Sequence, residues 1–282
     1  VVVIGANRPH LYASMLAVQV LGGIPVPLYQ DAVATEYVFP ITNAEVRFAV
    51  VENQEQVDKL LEIQADCPSL VRIYYDDPRG LRNYTQPFLS SLRQVLDEGK
   101  DLLAHDTGFV RQQMELGQPD DVAAMFFTSG TTGNPKGVVH THRSLLDRAQ
   151  AGAEFDHLTH REEVLAYLPP AWIGQNIFSY AQWLCCGYVV NCPESADTVT
   201  IDLKEVGPTY YFAPPRVFEG LLTQVMIRME DAGAIKRGLF HFFMDVARRW
   251  GPRRMDGEAI GLWAQCLYAL GHWLVFGPLC NN

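Results

Sequence analysis

The first 75 residues repeat one pattern, and it restricts the fold more than any other feature of the chain. Val1–Ile4 is an apolar run closed by Gly5, Asn7 and Pro9 mark a helix start, and Leu11, Met15, Val18 and Leu21 fall on one helical face. Gly22-Gly23 stops that helix and Ile24–Leu28 reads as the next strand. Glu36–Asn43 then reads as helix, Arg47–Val51 as strand, Glu55–Gln64 as helix and Val71–Tyr75 as strand. Short apolar strands joined by helices need crossover connections, so the expectation is an α/β fold: a parallel sheet with helices on its faces.

Asp76 to Pro119 is polar and irregular apart from a helix expected at Leu89–Leu96, which places a soft boundary between subdomains 1–118 and 119–282. The rhythm resumes at Asp121. A buried run Val122–Phe127 and a Gly/Thr-rich loop come first, followed by a helix near Ser144–Glu154, a strand Val164–Leu168 and a helix around Asn176–Cys185. Strand Tyr188–Asn191, helix Thr198–Val206, strand Thr209–Ala213 and a helix from Arg216 to Glu230 follow. No internal repeat or low-complexity tract interrupts this order.

Beyond Ala259 there is no Asp, Glu, Lys or Arg, so Ile260–Phe276 raises the question of a membrane span. Gln265, His272, three glycines and Pro278 favour instead a buried helix turning into a strand, which leaves a peripheral membrane contact open. The balance of 22 Lys and Arg against 32 Asp and Glu, a net charge of −10, disfavours nonspecific attraction to nucleic acid. Six cysteines without CxxC or Cys/His finger spacing disfavour a zinc module and a disulfide framework, and fit a reducing, cytoplasmic compartment. The strand-like opening carries no leader pattern, and the expectation is an internal piece of something longer. Oligomeric state is not legible.

Chemistry concentrates in Thr128-Ser-Gly-Thr-Thr-Gly-Asn-Pro-Lys-Gly-Val138. Glycines free of a Cβ let backbone N–H groups converge on an anion, hydroxyls add donors without adding charge, and Lys136 adds a compact cation. A plain Ser/Thr/Gly turn is the bland alternative for any short part of it, but eleven residues of this kind need a common reason. The spacing is neither GxxxxGK[ST] nor GxGxxG, so phosphate handling remains and the usual nucleotide motifs do not.

TSGTTGNPKGV closely resembles the phosphate-binding signature of the acyl-adenylate-forming enzymes, the superfamily of acyl-CoA synthetases, luciferases and peptide-synthetase adenylation domains. The opening VVVIGANRPHLYASMLAVQVLGGIPVPLY is similar to that family's amino-terminal strand–helix–strand region. Tyr167-Leu-Pro-Pro-Ala-Trp172 sits where the family has a Leu-Pro stretch followed by an aromatic or His at the acyl pocket. The stretch from Pro208 through Pro214-Pro-Arg216 to Glu219, and the Met229–Arg249 segment with Lys236, Arg237 and Phe240, resemble the long-chain fatty acid–CoA ligase branch.

The resemblance implies stacked mixed and parallel sheets flanked by helices, the incomplete large amino-terminal domain of an adenylate-forming enzyme. It implies ATP-dependent activation of a long-chain fatty acid to an acyl-adenylate and then to acyl-CoA, with ATP, Mg²⁺ and CoA. Within it Thr128, Ser129, Gly130, Thr131, Thr132, Gly133, Lys136 and Gly137 surround the phosphates, Lys136 and Thr128 act catalytically, and Thr128 or Thr132 reaches Mg²⁺. Trp172 and Tyr211 are the acyl-pocket candidates, with Tyr210 and Phe212 on the same expected strand and Arg216 opening a helix. The pattern departs from the family after Asn282, where the adenine and ribose segments, the hinge and the carboxy-terminal lid with its lysine would follow. A chain without them is expected to be inactive alone. The alternatives are adenylation of an aryl or amino acid, and a noncatalytic nucleotide- or lipid-binding protein.

Other clusters have simpler readings. His157, His160 and Glu163 resemble a solvated turn more than a metal site, His140 and His142 a helix entry, Cys185-Cys186 core packing, and Arg248, Arg249, Arg253 and Arg254 a solvated face.

Overall fold

Strands β1 (Val2–Ile4), β2 (Val26–Leu28), β3 (Phe48–Val51), β4 (Arg72–Tyr75) and β5 (Leu89–Ser91) pair in the order β2-β1-β3-β4-β5, every neighbour parallel. This computed structural model describes residues 1–128 and 133–280. Side chains alternate across the pleat. Val2, Ile4, Ala49, Val51 and Ile73 face α2 (Ala34–Asn43) and α3 (Gln54–Glu62) through Tyr37, Ile41, Val57 and Leu60. Val3 and Val50 face the other way, onto Leu11, Tyr12 and Met15 of α1 (Pro9–Val20) and Leu92. A sheet covered on both faces needs strands that are apolar throughout, which β1, β2 and β3 at its centre and one edge supply, whereas β4 begins with exposed Arg72 and β5 is Leu-Ser-Ser.

Pro9 opens α1 as expected, but Asn7 does not cap it; its side chain turns inward, and Arg8 precedes the helix without a side-chain cap. Gly22, at φ +71°, takes the left-handed turn that ends the helix, and the Gly23 N–H returns to the Val18 carbonyl at 2.8 Å.

The stretch from 76 to 119 is more regular than its composition suggests. Leu89–Ser91 is a strand where a helix was expected, because it pairs with Ile73–Tyr75; α4 (Leu92–His105) starts only after Ser91, which caps it in a reciprocal box with Gln94. A further helix, α5 (Phe109–Leu116), follows. Both helices bury little, although their apolar residues recur at helical spacing.

β6 (Val122–Thr128) and β7 (Lys136–Thr141) form an antiparallel hairpin, leading into α6 (His142–Phe155). β8 (Glu163–Leu165) and β9 (Val189–Asn191) pair in parallel. Between them α7 (Ile173–Gln175) runs through a π-helical stretch, Asn176–Ala181, into α8 (Gln182–Cys186). α9 (Val199–Val206) ends at Gly207, φ +55°.

The chain divides into two compact units, Val1–Tyr210 and Tyr211–Asn282, and not at the composition change near 118. The hairpin belongs to the first unit because the Met125 N–H bonds the Pro25 carbonyl at 3.1 Å, tying β6 to the segment that enters β2. Thr209–Ala213 is not a strand: Thr209 and Tyr210 donate to the Glu163 carbonyl, and Pro208, Pro214 and Pro215 remove the donors a ladder would need.

The second unit holds α10 (Pro215–Glu230), α11 (Ala234–Met255) and α12 (Leu262–Gly271). α12 continues through a π-helical stretch, His272–Phe276, into α13 (Gly277–Cys280). Its core is Met229, Phe240, Phe243 and Val275. Within Ile260–Phe276 the chain is helical from Leu262 onward rather than turning into a strand, and its large side chains are mostly exposed rather than buried. Among the described residues no helix is long and apolar enough to cross a membrane.

Candidate functional site

An open parallel sheet usually binds ligands beyond the carboxyl ends of its strands where the strand order reverses, here between β1 and β3. That crevice is filled by the protein itself. Glu52, just past β3, accepts the Ala6 N–H at 2.7 Å and Arg8 Nε at 2.8 Å. Arg8 in turn donates to the carbonyls of Pro193 at 2.6 Å and Glu194 at 2.9 Å. Both side chains are largely buried, and the ion pair closes the position a nucleotide would take in other doubly wound sheets. Arg8 and Glu52 escape sequence reading because they are far apart in the chain and match no motif.

Polar chemistry is displaced to the hairpin. Ala123, Ala124 and Phe126 pack with Leu145 of α6, while Phe127 and Met125 join the core of the large sheet, with Phe39 edge-on to Phe127 at 6.3 Å. Two cores thus grip β6 from opposite sides. The Gln19 amide donates to the Ala123 carbonyl at 2.8 Å and accepts the Tyr180 hydroxyl at 2.6 Å, fastening the strand to α1.

At the free end of the hairpin, Thr128 pairs with Lys136 and Phe127 with Gly137. Thr128 and Lys136 are exposed, and Thr128 Oγ1 donates to the Lys136 carbonyl at 3.4 Å. The ion pairs among the described residues leave Lys136 without a carboxylate. Gly133 has φ +125°, a conformation reserved for glycine. Gly137 has a packing reason for its identity: a Cβ there would stand 3.1 Å from Met125 Sδ and 3.4 Å from the Phe127 ring. Ser129, Gly130, Thr131 and Thr132 lie outside the described residues.

The base of the hairpin is pinned at α6. Thr141 Oγ1 accepts the Ser144 N–H at 3.1 Å and Ser144 Oγ accepts the Thr141 N–H at 3.0 Å. Arg143 clasps Asp120 with two bonds of 2.8 and 3.0 Å, holding that carboxyl below its ordinary range. His140 lies edge-on to Phe126 at 5.9 Å. Among the described residues the hairpin end thus presents a hydroxyl and an ammonium, side by side and open to solvent, on strands anchored at their base. A hydroxyl suits a hard divalent cation as one oxygen among several, and the ammonium suits phosphate oxygens.

Trp172 belongs to the first unit and Tyr211 to the second. Trp172 is half-buried at the start of α7, with its ring over Gly174, where a Cβ would come within 2.3 Å of it. Its loop is anchored from behind by Asn7, whose amide donates to the Leu168 carbonyl at 2.8 Å and accepts the Tyr12 hydroxyl at 2.6 Å. Gln175 and Ser179 continue this buried network. Tyr211 stands in the irregular segment before α10, its ring edge-on to Phe218 at 6.2 Å. Among the described residues no group of three His, Cys, Asp or Glu side chains is arranged to hold a metal ion.

The family model of the AMP-binding enzymes matches residues 1–256. The chain is 28% identical over 258 residues to the long-chain-fatty-acid–CoA ligase ACSBG1 of Rattus norvegicus, a match covering 87% of this chain and 34% of that one. The chain therefore spans about a third of the length of the curated relatives it matches. Among solved structures, the anthranilate CoA ligase AuaEII, in complex with anthranoyl-AMP, superposes with a TM-score of 0.59 at 18% identity, over 75% of this chain and 39% of that one. A long-chain-fatty-acid-CoA ligase, FadD1, from Archaeoglobus fulgidus gives a TM-score of 0.59 at 17% identity, over 82% and 42%. These likenesses establish the adenylate-forming fold of the large amino-terminal domain, and with the family match over most of its length the chain belongs to the AMP-binding enzymes.

Proposed function

We propose that the β6–β7 hairpin is the triphosphate-binding element of an ATP-dependent ligase that activates a long-chain fatty acid as its adenylate and passes it to CoA. The observation that carries this is the pairing of exposed Thr128 with exposed Lys136, which has no carboxylate partner among the described residues, at the end of a hairpin anchored at its base. The acyl class rests on the long-chain names of the curated relatives.

Attack of a carboxylate on the α-phosphorus brings two anions together, so the barrier falls when positive charge and hydrogen-bond donors meet the phosphates. In this reading Lys136 Nζ holds phosphate oxygens and stabilises the charge that gathers on the departing pyrophosphate. The Thr128 hydroxyl, fixed by its strand, donates to the same phosphates or lends its oxygen to Mg²⁺, which supplies charge neutralisation when bound. Ser129, Gly130, Thr131, Thr132, Gly133 and Gly137 complete the cradle. Trp172 is the acyl-site candidate of the first unit, its loop held by the Asn7 anchor on Leu168; Tyr211 is a separate candidate in the second unit. No nucleophilic side chain is required, because positioning and electrostatics carry the transfer.

The test is carboxylate-dependent ATP–pyrophosphate exchange by this chain extended through the adenine, ribose, hinge and lid segments its family carries, with palmitate, benzoate and an amino acid offered in parallel. Exchange with palmitate supports the reading. Exchange with benzoate or the amino acid alone moves the acyl class to aryl or amino acids, and Mg-ATP binding without any exchange reduces the protein to a noncatalytic nucleotide-binding module.

A further inference from the structure

The turn Gly5–Arg8, between β1 and α1, reaches two loops at once. Asn7 donates to the Leu168 carbonyl at 2.8 Å in the loop after β8, and Arg8 donates to the carbonyls of Pro193 at 2.6 Å and Glu194 at 2.9 Å in the loop after β9. β8 and β9 are parallel neighbours, joined past their paired residues by the Ala166 N–H on the Asn191 carbonyl at 2.8 Å. Both loops therefore leave from one carboxyl edge, where parallel strands carry their ligands. The loop after β8 leads to Trp172. The loop after β9 is closed on itself: Thr198 Oγ1 donates to Asp202 Oδ2 at 2.7 Å, and the Glu194 N–H to the same oxygen at 3.3 Å. Its root thus sets the position of the whole loop.

Arg8 can hold that root because it is itself held. Its Nε donates to one Glu52 oxygen at 2.8 Å, and the other accepts the Ala6 N–H at 2.7 Å, which fixes the turn to the end of β3. Ala166, Tyr180, Val190 and Cys192 also pack with Val3 and Val50 of the large sheet, but apolar contact is non-directional and tolerates sliding. Direction comes from the hydrogen bonds at the carboxyl edge. A guanidinium has the fork this place requires, with one N–H for the carboxylate and two more for consecutive carbonyls. A lysine ammonium could keep the charge opposite Glu52 without spanning all three acceptors.

We infer that Arg8 is a positioning residue for the acyl site: clamped by Glu52, it fixes the loop after β9 against the loop after β8, and so fixes where Trp172 stands. Asn7, its neighbour in the same turn, holds the other loop. The inference rests on the reading of Trp172 as an acyl-site residue and names what keeps that residue in place. The phosphate hairpin has its own anchors at Gln19, Pro25 and Ser144, none of them shared with Arg8. Releasing the loop after β9 therefore weakens use of the carboxylate and spares the nucleotide, since a misplacement of about 1 Å is enough to slow a positioned reaction.

The test uses Arg8→Lys, which keeps the charge and loses the fork. In the 282-residue chain the fluorescence of Trp172 is isolated by comparing each protein with its Trp172→Phe counterpart, and acrylamide should quench it more strongly in Arg8→Lys than in the unchanged chain. In the chain extended through its family's remaining segments, Arg8→Lys should raise the KM for palmitate about tenfold in pyrophosphate exchange, while the KM for Mg-ATP stays within about twofold. Tyr12→Phe is the control for plain destabilisation, because it removes a bond of the Asn7 network and leaves both loops attached; its KM for palmitate should be unchanged. Unchanged quenching overturns the inference, as do KM values for palmitate and Mg-ATP that rise together, or a Tyr12→Phe protein that behaves like Arg8→Lys. Absence of exchange with every carboxylate in the unchanged extended chain fails the ligase reading, and the acyl role of Arg8 with it. Exchange whose palmitate KM is unaltered by Arg8→Lys overturns the role of Arg8 alone.

Discussion

Thr128 and Lys136 are directly opposed across the last rung of the β6–β7 ladder, with Thr128 Oγ1 3.4 Å from the Lys136 carbonyl oxygen. A rung fixes the spacing of both side chains, so the ammonium projects from a strand rather than from a loop. Lys136→Ala is expected to leave the fold unchanged, because the side chain is exposed and ion-pairs with nothing described. It should weaken Mg-ATP binding about 10- to 100-fold, the scale of one charge-assisted contact to a phosphate. Calorimetric titration with Mg-ATP measures it, and undiminished affinity removes Lys136 from the phosphate site. Lys136→Arg should recover part of the loss.

Gly5 is where the Arg8–Glu52 plug meets the sheet. A Cβ at this position would stand 2.6 Å from Glu52 Cβ and 2.7 Å from Leu11 Cδ1, so neither a strand-end side chain nor the packed leucine can simply step aside. Gly5→Ala should cost about 1–3 kcal/mol through overpacking. Urea denaturation reads this directly; a change below experimental error would mean that the plug yields more easily than its hydrogen bonds imply.

Asn7 joins three segments with one buried amide. Replacing it by Ala removes the donor to the Leu168 carbonyl and the acceptor of the Tyr12 hydroxyl, leaving two buried polar groups to find other partners. The expected loss is about 2–4 kcal/mol. Tyr12→Phe removes only one of those contacts and should cost less, and the ranking Asn7→Ala worse than Tyr12→Phe is the discriminating result in thermal melts.

The sheet is legible in the sequence because its strands are largely buried on both faces, so Val1–Ile4, Phe48–Val51 and Ile73–Tyr75 are apolar runs closed by polar or glycine residues. The hairpin loop is legible because its composition has no cheap structural explanation. Asn7 misleads for a reason: a polar residue before Pro9 looks like a helix cap, and only the tertiary fold shows that its amide is needed at Leu168 instead. Ser91 hides in the opposite way, since β5 gains its strand character from pairing with β4 and has little of its own. Thr209–Ala213 has β-branched and aromatic residues but no neighbour to pair with along its length. The outward face of α12 is indistinguishable in composition from a buried one, because apolar residues carry no sign of which side is covered.

Alkaline pH should unfold the first unit through its buried phenols and thiols. Burial raises the hydroxyls of Tyr12, Tyr180 and Tyr188 above the usual tyrosine range, and raises Tyr210, whose hydroxyl also bonds Asp156 at 3.0 Å. The same cause pushes the Cys192 thiol above its ordinary range, up to about 11, against the pull of the nearby Arg8 charge. Each of these groups is neutral when protonated, and the folded state holds its proton more tightly than the unfolded chain does. Their contribution is therefore complete below the ordinary thiol and phenol values and is lost as pH rises through the raised ones. Stability should be flat across neutral pH, begin to fall near pH 9 as unfolded Cys192 ionises, and fall more steeply near pH 10 as the unfolded tyrosines follow, by about 1.4 kcal/mol per pH unit for each group titrating only in the unfolded state. Cys192→Ala should remove the first part of that decline and leave the second. Urea midpoints measured from pH 7 to 11 test the order, and a decline that begins only above pH 10 in both proteins would mean that Cys192 is not shielded as its surroundings indicate.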